Sequence, residues 1–322
     1  MRYRMAAMTE GLSEPTDKSI AENEVAAPDG ARTYRARVVD YALILKPRVM
    51  SLVIFVGLVG LLLAPGTIAP LTGAVAVACI ALAAGASGAI NMWYDRDIDL
   101  NMGRTRDRPI PAGRIAPGHA LIIGVVLASA SIAAMAGVVN FMAAGLLALT
   151  VLYYVFVYTV WLKRRTPQNI VIGGAAGALP PVIGWAAVTG TVSIESVSLF
   201  AIIFLWTPPH SWALALFSNE DYTRAGVPML PVVAGTRETK KQIAIYTALM
   251  IGAAYVPVII GLSGAVYGVA ATVLGAVFVR HVLRVWRDET DKAARPMFGY
   301  SILYLFLIFV FLLVDRALPF AF

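Results

Sequence analysis

A single cysteine, Cys79, occurs in 322 residues. That excludes an intramolecular disulfide and any cysteine-based metal centre. Histidine is nearly as scarce, with only His119, His210 and His281. Charge is sparse: 14% of residues are Asp, Glu, Lys or Arg against 59% hydrophobic, a membrane composition rather than that of a large soluble core. No glycine-rich phosphate loop of the Walker or Rossmann type occurs. Residues 1–40 contain no apolar run that would serve as a signal peptide. Glu10, Glu14, Asp17, Glu22 and Glu24 also argue against an acid-poor transit peptide. This stretch reads as a disordered cytoplasmic tail, leaving residues 41–322 as one membrane domain.

What is present is a series of apolar runs, each long enough to cross a bilayer at roughly 20 residues. The expected spans are 43–63, 68–90, 116–138, 141–161, 168–189, 194–216, 241–261, 264–283 and 298–316. The second carries no charge. Small residues, as in Gly173-Gly174-Ala175-Ala176-Gly177, predict close helix packing in lipid. The basic residues test the topology. Of 26 Lys and Arg, all but Arg316 fall in the N-terminal segment through Arg48 or around the exits of the second, fourth, sixth and eighth spans. This positive-inside pattern puts the N-terminus and those loops in the cytoplasm, and the C-terminus opposite. The net charge of +7 therefore records orientation and attraction to anions; it does not point to nucleic acid.

One run stands out against this background: Asn91-Met92-Trp93-Tyr94-Asp95-Arg96-Asp97-Ile98-Asp99, directly after the uncharged second span. Carboxylates beside hydrocarbon are costly. If the helix continues, Asn91, Asp95 and Asp99 share one face. Oxygen ligands of this kind suit Mg²⁺ shared with substrate phosphates. Arg96, Arg104, Arg106, Arg108 and Arg114 interleave or follow, so acids for a metal sit beside bases for an anion. The plainer alternative is a solvated loop of mixed charge. A second polar loop, Asn219-Glu220-Asp221 to Pro231, follows the sixth span. Its placement predicts two acidic loops facing one another over one diphosphate and two metals, or else a turn fixed by Gly226, Pro228 and Pro231. Lys46, Arg108 and Lys163, next to motif residues, are the expected anion contacts. Tyr153, Tyr154, Phe156 and Tyr158 offer aromatic lining for a cavity, or interfacial anchors.

These segments resemble the UbiA superfamily of intramembrane prenyltransferases over about residues 41–316. The elements are Leu45-Lys46-Pro47-Arg48, the Asn91–Asp99 run, and Arg104-Thr105 with Arg108-Pro109-Ile110. Tyr158-Thr159, Leu162-Lys163-Arg164 and Asn169 to Gly174 follow. Trp206-Thr207-Pro208-Pro209-His210, then Asp221-Tyr222 with Gly226 to Pro231, look similar to the branch that acts on heme. The resemblance implies an all-α polytopic fold, nine transmembrane helices around a central cavity, in a bacterial inner membrane. It implies farnesyl transfer from farnesyl diphosphate to heme b, with Mg²⁺ held by Asn91, Asp95, Asp99 and Asp221. Lys163 and Arg108 would assist catalysis, and Lys46, Asn91, Arg104 and His210 would bind substrate. The bilayer is the implied surroundings, and a heme-modifying enzyme or terminal-oxidase assembly factor the implied recipient of product. The sequence departs from quinone-type members, which carry a second Asp-x-x-x-Asp cluster; here only Asn219, Glu220 and Asp221 stand in that region. His210, eleven residues before Asp221, would point roughly the same way about 16 Å from it on a continuous helix, at about 1.5 Å per residue. In contact with heme, as an iron ligand or through a propionate, it would place heme below the diphosphate; the alternative is a hydrogen bond to a neighbouring helix, for example to a carbonyl freed by Pro208 or Pro209. A multi-span transporter is the other class, favoured by broken helices with charges inside the spans.

Overall fold

The computed structural model describes residues 36–318. The expected N-terminal tail lies outside the described residues as far as residue 35. Its predicted boundary at residue 40 falls inside the first helix, α1 (Val38–Ile44). Among the described residues there is no strand.

The first four helices are α1, α2 (Pro47–Leu63), α3 (Pro70–Tyr94) and the short α4 (Arg96–Leu100). Next come α5 (Pro117–Ala134), extended by π-type turns to Val139, and α6 (Phe141–Leu152), extended likewise through Tyr153–Leu162. The fifth span is made of α7 (Asn169–Ala178) and α8 (Pro180–Thr189) in succession. Then follow α9 (Ile194–Phe217), α10 (Asn219–Arg224), α11 (Leu230–Ile259), α12 (Ala265–Arg287) and α13 (Ala294–Ala317). Pro47, Pro70 and Pro117 open their helices, where a missing N–H costs nothing. Among the described residues eight helices are long and apolar enough to cross a membrane. The pair α1 and α2, bent by 52°, makes a ninth if the two are taken as one span. The seventh span departs from expectation: α11 starts at Leu230 rather than 241 and breaks at Gly235 (φ 80°, ψ 168°), a left-handed region open to glycine.

Successive spans pack as neighbours from α2 round to α13, and α13 returns to α2, closing a ring. Helices α2 and α8 also cross closely. A Cβ at Gly60 would collide with the Pro181 carbonyl, and one at Gly184 with that of Gly57, so this crossing admits only glycine. The predicted use of small residues in packing holds there. In the predicted run it holds at Gly173, against Tyr158, and at Gly174, against Thr207 of α9, but not at Gly177, where a Cβ would meet nothing within 4 Å.

One end of the ring gathers the basic segments. Arg114 Nε bonds Asp40 at 2.8 Å, tying α1 to the loop after α4. Lys240 Nζ pairs with Asp291 at 2.9 Å, tying α11 to the loop between α12 and α13. At the other end Asn140 caps α6, accepting from Ala143 N at 2.8 Å, and donates to the Ala186 and Ala187 carbonyls.

Candidate active site

The end of α3 carries the first three candidate residues. Asp95 leaves helical geometry (φ −88°, ψ 9°). Its N–H still bonds the Asn91 carbonyl at 2.9 Å, and Asp99 N–H bonds the Asp95 carbonyl at 2.9 Å. The helical phase therefore survives the bend. All three side chains are buried, with Asp95 wholly inaccessible. Charged groups are not left in such places without partners. Lys163, from the end of the fourth span, donates to Asp95 Oδ2, and Asn91 Nδ2 reaches the same oxygen at 2.7 Å. Arg108 NH1 donates to Asp99 Oδ2 at 2.7 Å. Lys46 Nζ donates to Asn91 Oδ1 at 2.8 Å. Asp95 Oδ1 accepts no hydrogen bond; Arg164 NH2 lies 3.6 Å away. Arg164 is spent mainly on Asp97, with two bonds of 2.7 Å, and these hold the Asp97 carboxyl below its usual range.

Asn91, Asp99, Lys46, Arg104, Arg108 and Lys163 converge on one pocket of about 160 Å³. Asp221 is not among its walls. Its carboxylate faces the position a Cβ would take at Gly103, 3.6 Å away, and pairs with Arg224 at 3.4 Å. The two acidic loops thus do meet, at Gly103. They do not pool their acids: among the described residues no three acidic, histidine or cysteine side chains form a metal-sized cluster.

Below this pocket lies a cavity of about 570 Å³, reached past Tyr154, Tyr158 and Ile170, which line both. Gly173 makes room for the Tyr158 ring, which a Cβ would strike. The other two aromatics of that run stay outside. Phe156 is 60% exposed, and Tyr153 donates to the Ile172 carbonyl at 3.0 Å. His210 lines the cavity, its ring stacked between Trp206 and Phe298 at 4.3 and 4.6 Å. As the alternative expected, it is hydrogen-bonded to a neighbouring helix, though not to a carbonyl freed by proline: its Nδ1 lies 2.6 Å from Ser301 Oγ of α13. The Ser301 hydroxyl donates its single proton to the Phe298 carbonyl at 2.7 Å. With its proton spent there, the hydroxyl is left to accept from His210, an assignment that puts the imidazole proton on Nδ1. Nε2, with its lone pair, has no partner among the described residues. The expected straight run from His210 to Asp221 is interrupted, because α9 ends at Phe217 and Ser218 (φ −118°, ψ 20°) turns the chain into α10.

Buried carboxylates under a basic rim, above an apolar cavity in a helix ring, agree with the UbiA prenyltransferase profile, which matches residues 53–311. The chain belongs to this family. Within the UbiA prenyltransferases, two curated relatives named protoheme IX farnesyltransferase are much alike in sequence. That of Parvibaculum lavamentivorans is 56% identical, covering 87% of this chain and 89% of its own. That of Rhizobium rhizogenes is 58% identical, covering 86% and 88%. Solved folds agree. A digeranylgeranylglyceryl phosphate synthase superposes with TM-score 0.72 at 16% identity, over 86% of this chain and 97% of its own. A UbiA homologue from Archaeoglobus fulgidus, bound to DMAPP and Mg²⁺, superposes with TM-score 0.61 at 18% identity, over 85% and 99%. In this UbiA chain the sequence reading missed two polar members of the site. Thr159 accepts from Asn91 Nδ2 at 3.2 Å, and buried Asn169 lines the pocket with its Oδ1 unpartnered. Both stood inside the quoted motifs, and their uncharged side chains concealed them.

Proposed function

We propose that this chain transfers a farnesyl group from farnesyl diphosphate to a vinyl group of heme b, giving heme O with its hydroxyethylfarnesyl side chain. The carrying observation is a cationic pocket walled by the buried Asp99 carboxylate, with buried Asp95 bonded to its Asn91 and Lys163, opening onto an apolar cavity that presents an imidazole nitrogen with no partner among the described residues. The relatives' shared name supports the choice of substrates. Lys46, Arg104, Arg108 and Lys163 bind the diphosphate oxygens. Asn91, Asp95 and Asp99 would hold Mg²⁺, and the unpaired buried Oδ1 of Asp95 is an oxygen fitted to a cation. Bound there, the metal supplies charge neutralisation of the leaving diphosphate. Asp221 joins this set only by leaving Arg224.

The farnesyl carbon–oxygen bond breaks with its electron pair going to diphosphate, and the basic rim stabilises that charge. The vinyl π electrons then form the new carbon–carbon bond. The cation left beside the porphyrin is delocalised into the ring and captured by water, which releases a proton. Burial keeps bulk water from the first, allylic cation. His210 binds heme iron through Nε2, with Ser301 fixing its tautomer. The charge pattern supports a bacterial inner membrane, with the acidic loops cytoplasmic. A heme-modifying enzyme or oxidase assembly factor then takes the product.

Mass spectrometry of hemes from cells with and without the chain tests the reading: heme O appears only with it. The purified protein releases pyrophosphate in a Mg²⁺-dependent way. Asp95→Asn and Asp99→Asn each lower turnover about a hundredfold or more while still inserting in the membrane. Wild-type turnover in either would remove the carboxylates from the mechanism.

A further inference from the structure

Three spaces meet at one side chain. Tyr154 lines the polar pocket, the 570 Å³ cavity, and a third cavity of about 200 Å³ between α2, α3, α6 and the fifth span. The third cavity borders the polar pocket at Tyr154 alone. We propose that Tyr154 divides the substrates: the 200 Å³ cavity takes the prenyl chain of the donor, and the 570 Å³ cavity takes the porphyrin. This rests on the farnesyl-transfer reading above and deepens it.

The chemistry of the two linings decides the assignment. The smaller cavity is walled by aliphatic side chains such as Val53, Ile80 and Leu147. Its only hydroxyls besides Tyr154 belong to Ser87 and Thr150, and both are consumed within their own helices. Ser87 donates to the Ala83 carbonyl at 2.9 Å and Thr150 to that of Leu146 at 2.8 Å. With Tyr154 at its mouth the one hydroxyl not so consumed, this wall suits a ligand with no heteroatom, and penalises one with carboxylates and a metal. The larger cavity offers what a porphyrin needs. His210 Nε2 is free inside it, and Arg48, exposed and without an ion-pair partner among the described residues, stands in its wall. A cation there matches a propionate. Size agrees. The larger volume lies within the roughly 300–1,000 Å³ usual for ligand pockets, whereas the smaller falls below it and excludes a rigid disc the size of a porphyrin.

Placed this way, the two reacting carbons meet at Tyr154, next to the diphosphate. Its ring and that of Tyr158, 5.3 Å apart between centroids, face the point where the allylic cation forms. Aromatic faces attract a cation without quenching it.

The test narrows each cavity separately. Ala84 lines only the smaller cavity and Ser211 only the larger. Ala84→Phe is expected to shift the kcat/KM ratio from farnesyl toward geranyl diphosphate by about tenfold, with heme affinity by absorption titration unchanged. Ala84→Leu, a smaller intrusion in case the first fails to fold, shifts it in the same direction by less. Ser211→Phe weakens heme affinity by about tenfold and leaves donor preference alone. Loss of heme affinity in the Ala84 variants with donor preference intact would invert the assignment. Both parameters moving together in both sets would mean one undivided cavity. Failure of the wild-type protein to make heme O would instead overturn the reaction itself.

Discussion

Lys46 sits at φ 54° and ψ 53°, a left-handed conformation that costs a residue with a side chain about 1–3 kcal/mol. The strain turns the chain sharply between α1 and α2 and sends Nζ to Asn91. Gly88 leaves room for the side chain, since a Cβ there would press within 3.3 Å of Lys46 Cδ. Strain kept at a site residue is evidence that the side chain, not the backbone, is being selected. Lys46→Gly should therefore keep or raise thermal stability while raising the KM for farnesyl diphosphate by about tenfold or more, the loss of one charge-assisted contact. A fall in stability matching the fall in activity would make Lys46 a structural residue. His210 is the second residue whose surroundings specify a role. Both ring faces are covered and Nδ1 is committed, so only Nε2 can act. His210→Ala is expected to shift the absorption spectrum of bound heme and weaken heme binding, with farnesyl diphosphate affinity unchanged. An unaltered spectrum would leave His210 as packing.

Two helices ending in acidic motifs show what periodicity can and cannot tell. In α3 the pattern Asn91, Asp95, Asp99 was legible because the backbone bonds run on through the bend at Asp95. In α9 the same extrapolation from His210 to Asp221 fails, because Ser218 breaks the helix. Nothing in Phe217-Ser218-Asn219 differs enough from a helical run to mark that break, and the prolines that do stand out, Pro208 and Pro209, lie inside a continuous helix. The aromatic run of α6 was ambiguous for a related reason. In lipid both faces of a helix are apolar, so composition does not say which of Tyr153, Tyr154, Phe156 and Tyr158 turns inward. Elements are also joined by groups that sequence spacing does not reveal. Asp315, in the last turn of α13, accepts from Ser263 Oγ at 2.8 Å, from Gly264 N, and from Tyr267 N at 3.1 Å. It caps the start of α12 from another helix, satisfying N–H groups that a membrane-embedded end cannot leave bare. Asp315→Ala should cost about 1–2 kcal/mol, as loss of a cap does. It should lower the thermal transition in detergent while activity well below the transition stays near wild type. A lost transition with lost activity at all temperatures would mean that this cap is required for the ring to assemble.

At the scale of the whole molecule the succession of membrane-length helices was readable, because hydropathy is a one-dimensional quantity. The cavities were not, because they depend on which helix faces meet around the ring. That ring is closed by the contact of α13 with α2, residues far apart in the chain. The structure adds a physical reason for the one-sided charge. Contacts link the segment before α2, the loop after α4, the end of α6 and α10 into one assembly: Lys46 to Asn91, Lys163 to Asp95, and Asp221 against Gly103. A loop of this set translocated to the other side would dismantle the site. Sidedness can be read at two exposed positions on described loops, Thr191 between α8 and α9 and Glu289 between α12 and α13. The single native cysteine, Cys79, is buried and can be replaced by serine to clear the background. In vesicles of known orientation, a membrane-impermeant maleimide should reach Glu289→Cys only from the cytoplasmic face and Thr191→Cys only from the opposite face. The two positions are separated by three crossings, α9, α11 and α12, so an odd count forces them apart. Labelling of both from one face would require that one of those helices does not span. The prime suspect would then be α11, whose first turns break at Gly235 and carry Arg237, Lys240 and Lys241.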